Sequence, residues 1–488
     1  MNNQNVCFLR SLTCHIRPQK RCYIPSPRRQ TQIFDIVCVG GGTAGLSLLA
    51  ALRSSPVTAN LKMALIERQD LQATRLFSLP SHQFSSRCSS LTPSSVRFLE
   101  QIGVWKHMKL DRIQPYHEMQ VWDGVSGARI EFNWQDPERG STIAYMTENL
   151  NLASALIKRI EDLGGISIFE NQAVSTINLG EESEDIDLSG WPILQLSSGK
   201  KLAARLLVGA DGAKSLVRSF AGIDSKGWDY NRVGVVATLK SESAGYHKKG
   251  LKTAYQRFLP TGPVAMLPLP ECYSTLVWTT TPERASHLKD LCSEDFIAMV
   301  NASFRLSPID LSYMHTIESK KAEEVDWRSQ HAKFNLQLIP PKVTALQCGS
   351  IASFPLKLRH ADSYIGERVV LIGDAAHSIH PLAGQGLNQG QADVESLVAK
   401  IIHSVSHGED IGVKMALEAY NSERYAANNI LLGVVDNLHK LYSVENGPLV
   451  LLRSIGLKAV NSSALVKNFF MEHAAGTGRN RYHEGAPF

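Results

Sequence analysis

Asp35 to Leu52 reads DIVCVGGGTAGLSLLAAL, a short apolar run that breaks into glycines and resumes as a helical stretch. The spacing is GxGxxG. Gly40 permits a tight turn after the strand, Gly42 lets a diphosphate approach the backbone, and Gly45 lets helix and strand pack closely. Downstream, Lys62-Met63-Ala64-Leu65-Ile66 reads as a second strand ending in Glu67. That acid stands about 20 residues past the last glycine, where a carboxylate meets an adenosine ribose. Strand, helix and terminal acid in register predict a dinucleotide-binding βαβ unit. Glu67 repels a 2′-phosphate, so FAD or NAD is expected over NADP.

A second glycine-punctuated junction lies far down the chain. Arg368 to Asp393 reads RVVLIGDAAHSIHPLAGQGLNQGQAD, an apolar strand stopping at Gly373-Asp374 and a loop that opens a helix at Leu387. Backbone N–H groups at such a helix start can hold an anion or an electron-rich ring edge. Between the two junctions, Arg205 to Val208 reads as a strand running into Gly209-Ala210-Asp211-Gly212. His377 and His380 are three apart, but with no third ligand nearby no metal site is expected.

GxGxxG, a DG motif and a GD motif in this order resemble the class A flavoprotein monooxygenases, the aromatic hydroxylases of the para-hydroxybenzoate hydroxylase type. The resemblance implies FAD, with Gly373-Asp374 at its ribityl and diphosphate region, Asp211-Gly212 where FAD and a reductant are both served, and Arg87 near its phosphates. Two further strings, His380 to Asn388 (HPLAGQGLN) and Gln256 to Pro263 (QRFLPTGP), are similar to the ubiquinone-biosynthesis hydroxylases, and the similarity spans roughly residues 33 to 460. It implies that the loop carrying Pro381, Gly384, Gln385, Gly386, Leu387 and Asn388 positions the flavin ring. Gln389 and Gln391 stand where that family carries apolar residues, and Thr147-Glu148-Asn149 replaces its Val-Glu-Asn.

Composition agrees with a large folded protein: 488 residues, 43% hydrophobic, 20% charged and a formal net charge of +5. No basic stripe interleaves with aromatics, so nucleic acid is not an expected partner. Eight cysteines without CxxC spacing suit a reducing compartment rather than a disulfide framework. The first 34 residues lack Asp and Glu yet carry Arg10, Arg17, Lys20, Arg21, Arg28 and Arg29, the composition of a mitochondrial transit peptide. A transit peptide is expected over 1–32, with cleavage before Phe34.

The element order predicts an α/β fold: a Rossmann-like FAD-binding domain interrupted by an antiparallel β-sheet substrate lobe and followed by a C-terminal helical segment. FAD-domain parts are expected at 33–115, 148–229 and 353–440, lobe parts at 116–147 and 230–352, and the helical region at 441–488. Gly447 to Met471 has no acidic residue, and Arg453, Lys458 and Lys467 punctuate its leucines. It suits an anionic membrane surface, a docking partner, or packing on its own FAD domain.

No nucleophile and base pair is nominated, because the resemblance assigns the chemistry to FAD and O2 through a flavin hydroperoxide that hydroxylates an electron-rich ring. The substrate it implies is a polyprenylated phenol or benzoate of ubiquinone synthesis, hydroxylated at C5. It also implies a ferredoxin and its reductase as electron donors, association with other ubiquinone-synthesis proteins, and peripheral contact with the matrix side of the inner membrane. Two readings stay beside it: a class A hydroxylase or epoxidase of another apolar substrate, and a non-catalytic protein built on a dinucleotide fold.

Overall fold

The computed structural model describes residues 31–133, 142–182, 187–242, 252–331, 335, 338–378, 385–444 and 447–463. The chain opens with β1 (Gln32–Val39), α1 (Thr43–Ser54) and β2 (Met63–Ile66), followed by β3 (Cys88–Leu91) and α2 (Pro93–Gln101). A hairpin of β4 (Glu118–Asp123) and β5 (Arg129–Asn133) comes next, then β6 (Ala144–Glu148) running directly into α3 (Asn149–Leu163). After β7 (Lys201–Gly209) and α4 (Leu216–Phe220) stand four long strands, β8 (Asp229–Ser241), β9 (Thr253–Leu259), β10 (Gly262–Pro268) and β11 (Tyr273–Thr280). The described chain ends with β12 (Val369–Leu371), α5 (Gly386–Ser406), α6 (Lys414–Tyr442) and α7 (Pro448–Ser462).

The first sheet is parallel at its centre, in the order β12-β7-β1-β2 and then Ile166–Phe169. Its strands are apolar without alternation because helices cover both faces: Ile36, Val37, Cys38, Leu206 and Val208 are all fully buried. All its glycine loops leave from one edge, since parallel strands end on the same side. β1 already begins at Gln32, paired with Leu202. A cut before Phe34 would remove two paired residues, whereas one upstream of Gln32 leaves the strand whole; residues 1–30 lie outside the described residues.

The second sheet carries β8, β11, β10, β9, β4 and β5 in that order and is antiparallel except where β9 pairs parallel with β4. From about Tyr230 to Ala352 apolar and polar positions alternate, a pattern that foretells the strands but not the helices of the same stretch. Pro282–Asp290, Ser293–Arg305, Pro308–Met314 and Lys321–His331 form a helical layer. Phe296, Met299, Val300 and Phe304 close it over Trp278 and Leu276 of β11. Two of these helices start with a hydroxyl cap one residue before a proline, at Thr281 and Ser307.

The end of α6 and the whole of α7 pack on this second sheet rather than on the FAD-domain sheet. Arg453 of α7 grips Asp123 at the end of β4 through Nε and Nη2, both at 3.0 Å, with the two side chains 1% and 0% exposed. Tyr442 of α6 stacks on Phe258 of β9 with ring centroids 3.9 Å apart. Arg257 of β9 is no surface arginine: it is buried and donates to the carbonyls of Ser303 and Gly124.

Candidate active site

The loop between β1 and α1 is set by two close approaches. Gly40 sits at φ +110°, and a Cβ there would lie 2.2 Å from the carbonyl oxygen of Ala210. A Cβ on Gly45 would lie 2.1 Å from the Gly40 carbonyl oxygen and 3.1 Å from Cys38 Sγ. At Gly42 the surroundings differ, because a Cβ would meet nothing within 4 Å. The helix start is thus open on that side, and α1 has no side-chain cap over its first N–H groups. Glu67, one residue past β2, accepts the N–H of Gly41 at 2.5 Å through Oε2 and that of Gln69 at 2.7 Å through Oε1. Its carboxylate therefore stands beside the glycine loop.

Beside it lies the turn after β7. Asp211 Oδ2 accepts the N–H groups of Leu216 and Val217 at the start of α4, at 2.7 and 3.3 Å. Asp211 Oδ1 is buried and has no hydrogen-bond partner. Arg218 ties this turn to the third loop, donating to the carbonyls of Ala213 at 2.9 Å and Ala375 at 2.8 Å. Cys38 lies beneath all of this. Burial, then Asp211, then Glu67 push its thiol far above the ordinary thiol range.

The third loop follows β12. Gly373 packs against Ala44 of α1 and Gly390 of α5, and Asp374 is exposed. α5 begins at Gly386, one residue earlier than the sequence suggests. His380, Pro381 and Gly384 lie outside the described residues. Gln385, Gly386 and Leu387 are half-buried at the helix start. The side chain of Asn388 turns away to hold the β3–α2 corner: Oδ1 accepts from the Thr92 N–H at 3.0 Å and the Ser95 hydroxyl at 2.8 Å, and Nδ2 donates to the Ser90 carbonyl at 2.8 Å. Arg87 is exposed just before β3. Its approach is fixed by a buried pair: Arg112 Nε and Nη2 reach Glu148 at 2.6 and 2.9 Å, and Glu148 also accepts the Ser85 N–H at 2.5 Å.

Sequence reasoning missed the polar cluster behind Gly373. Asp393 of α5, fully buried, meets His377 at 2.6 Å, Arg424 of α6 at 2.8 Å and Asn428 at 3.1 Å. Asn428 continues to the Tyr364 hydroxyl, which pairs with His360 Nε2 at 2.7 Å. An acid on the apolar face of α5 was the available signal, because a buried carboxylate requires partners. His377 is therefore bound to a carboxylate, and among the described residues no group of three metal-ligating side chains exists. Gln389 and Gln391, the departures from the family string, are buried at 5% and 2% exposure, and neither amide atom of the Gln391 side chain finds a partner.

Burial, and after it His377, push His360 down to about 4. A histidine with a depressed folded pKa stabilises the fold above its unfolded value near 6.5, and that contribution is lost as pH falls from about 6.5 to 4. Thermal unfolding across this window is expected to show a loss on the order of 3 kcal/mol from His360. In His360→Asn the slope should flatten; an unchanged slope would refute the assignment.

The FAD binding domain family profile matches residues 34–432. The chain is 42% identical to the mitochondrial ubiquinone biosynthesis monooxygenase COQ6 of Schizosaccharomyces pombe, over 91% of this chain and 92% of that one. It is 39% identical to the Saccharomyces cerevisiae protein of the same description, over 91% and 94%, and 34% identical to the human one, over 91% and 92%. Two solved structures share the fold. One is p-nitrophenol 4-monooxygenase PnpA from Pseudomonas putida (TM-score 0.64, 16% identity, 92% of this chain and 100% of that one). The other is a single-residue variant of HpxO from Klebsiella pneumoniae complexed with FAD (TM-score 0.62, 16% identity, 91% and 99%).

Proposed function

We propose, from the premise that this chain belongs to the FAD-binding family of mitochondrial ubiquinone biosynthesis monooxygenases, that it hydroxylates the ring of a polyprenylated phenol or benzoate at the position that becomes C5 of ubiquinone. The chain is an FAD-dependent monooxygenase, with the same α/β architecture as its flavoprotein neighbours. The observation that carries FAD binding here is that the Ala210–Asp211 and Gly373 turns pack on the β1–α1 loop at Gly40 and Ala44 while Gly42 stays open, and that Asp211 Oδ1 is left without a partner. A diphosphate fits that opening and a polar group of the cofactor fits that oxygen.

Each residue of the cradle then has a physical task. The N–H groups at the start of α1 would meet the diphosphate, and Glu67 would take the ribose hydroxyls. Asp374, exposed on the third loop, would take the ribityl hydroxyls, and Arg87, exposed before β3, would add positive charge toward the phosphates. Asp211 and Gly212 form the wall between. The N–H groups of Gln385, Gly386, Leu387 and Asn388 at the start of α5, which carry no side-chain cap, would meet the ring edge and favour negative charge there. FAD, when bound, supplies the activation of O2 for insertion of one oxygen atom into an electron-rich ring. The protein orients that ring and excludes water around it.

We assign 33–115, 148–229 and 353–440 to the FAD-binding domain, 116–147 and 230–352 to the substrate lobe, and 441–488 to the C-terminal region. A prenyl tail in the lobe contributes about 0.8 kcal/mol per buried methylene, enough to dominate recognition of a small phenolic head. A ferredoxin with its reductase supplies the electrons, and other ubiquinone-synthesis proteins are partners in this reading.

The relatives are mitochondrial, and we place this protein on the matrix face of the inner membrane. No helix among the described residues is long and apolar enough to cross a membrane. Peripheral contact is supported by the outer face of α6 and α7, where Ile430, Leu451, Leu452 and Ile455 are 69%, 65%, 62% and 55% exposed. Among the described residues from Ile430 to Ser463, the exposed charged side chains are Lys440 and Lys458.

Deleting the gene in its host tests the substrate assignment. A precursor lacking the C5 hydroxyl should accumulate and disappear on re-expression. Accumulation of a precursor blocked at another ring position, or none, would reject the assignment.

A further inference from the structure

We propose that Asp393 is a positioning residue for the flavin-side loop, acting on it through the backbone N–H of Gly373 and through His377. The proposal rests on the FAD reading above and concerns residues that none of the three glycine motifs contains, apart from Gly373.

Asp393 is 0% exposed, and each of its oxygens takes two donors. Oδ2 accepts from Gly373 N–H at 3.1 Å and His377 Nε2 at 2.6 Å; Oδ1 accepts from Arg424 Nε at 2.8 Å and Asn428 Nδ2 at 3.1 Å. Arg424 and His377 are themselves 5% and 1% exposed at the side chain. Burial opposes the charge on Asp393, but His377 and Arg424 overcome it and hold the carboxyl well below the usual carboxylate range.

An ion pair sealed from water contributes little net stability compared with apolar packing of the same volume, yet it fixes its partners in direction. The direction fixed here belongs to the cofactor loop. The only backbone group among the four donors is the N–H of Gly373, immediately before Asp374. With that N–H drawn inward to Asp393, Gly373 lies against Ala44 of α1 and the next residue, Asp374, is left exposed. Arg424 and Asn428 in turn anchor the carboxylate to α6, since Arg424 Nη2 also donates to Asn428 Oδ1 at 2.9 Å. The Gly373–Asp374 turn is therefore tied through Asp393 to α6, a helix that contributes no residue to the cradle.

His377 offers the cleanest probe, because altering it leaves the buried Asp393–Arg424 pair intact. His377→Leu removes one donor, whereas His377→Gln keeps an amide N–H near the same place. The readouts are the FAD dissociation constant of the apoprotein by fluorescence titration, the fine structure of the visible flavin band, and the melting temperature of the apoprotein. His377→Leu is expected to weaken FAD binding by about tenfold or more, the loss of a hydrogen bond to a charged group, and to blur the band. Its apoprotein, with one donor fewer on a buried carboxylate, should melt below the parent, and His377→Gln should recover most of the affinity. Parental affinity in both variants would overturn the proposal. So would equal loss in both with equally lowered melting temperatures, which marks a structural role only. A parent apoprotein that takes up no FAD would overturn the flavin reading, and this proposal with it.

Discussion

Gly42→Val is expected to give a folded protein that elutes colourless. The site's backbone lies at φ −71° and ψ 174°, an extended conformation that valine adopts readily, and an added Cβ meets no atom within 4 Å. The fold therefore has no reason to object. The diphosphate does, because its oxygens must come within hydrogen-bond distance of the backbone at this position. A loss of about 3 kcal/mol or more, roughly a hundredfold in FAD affinity, is expected. Flavin absorbance relative to protein absorbance after gel filtration, together with the melting temperature of the apoprotein, measures both halves of the claim. Gly45→Val is the contrasting case, since its Cβ would stand 2.1 Å from the Gly40 carbonyl and the loop itself must break. A yellow Gly42→Val protein would show that the cofactor does not cross this point.

Arg453→Met should be the most damaging single change outside the cradle. Removing the arginine leaves the Asp123 carboxylate, which is 0% exposed, without its ion-pair partner, and the Ser126 hydroxyl at 2.6 Å and the Val125 N–H at 3.1 Å cannot neutralise its charge. Breaking a buried pair from one side costs about 3–5 kcal/mol. The carbonyls of Leu441 and Val444, which Arg453 also holds at 2.9 and 2.8 Å, lose their partner at the same time. Urea unfolding should report the loss, and limited proteolysis should cut first between α6 and α7. The double change Asp123→Asn with Arg453→Gln should be milder, since it leaves no uncompensated charge. Equal damage from the single and double variants would mean that shape, and not charge, holds α7 to the lobe.

The glycine cradle was legible because its requirements are local. Gly40, Gly42 and Gly45 each answer a constraint set within a few residues, and Glu67 follows from where β2 must end. Asp211 and Gly373 could be placed because parallel strands deliver their loops to one edge. The helices between Pro282 and His331 were not legible as such. Their apolar positions were read together with the flanking strands as alternation, although Thr281 and Ser307 before prolines were helix-start signals in plain view.

Other features were hidden by distance along the chain. Asp123 and Arg453 are separated by 330 positions, and the Asp393 cluster gathers side chains from β-region, loop and two helices. Nothing in local spacing announces such pairs. Asn388 shows the opposite limit: it was expected in the loop that positions the flavin, but its side chain serves the β3–α2 corner.

Cys38 carries a consequence for oxidative wear. Its thiol sits under the dinucleotide loop, 0% exposed, and is held in the protonated form by burial and the two acids above it. Reaction with peroxide requires thiolate. Oxidant escaping from turnover would therefore meet Cys292 and Cys348, which lie on the surface, before it could touch the floor of the cradle. Ageing of the enzyme should begin at its periphery, with the cofactor seat among the last parts to be chemically altered.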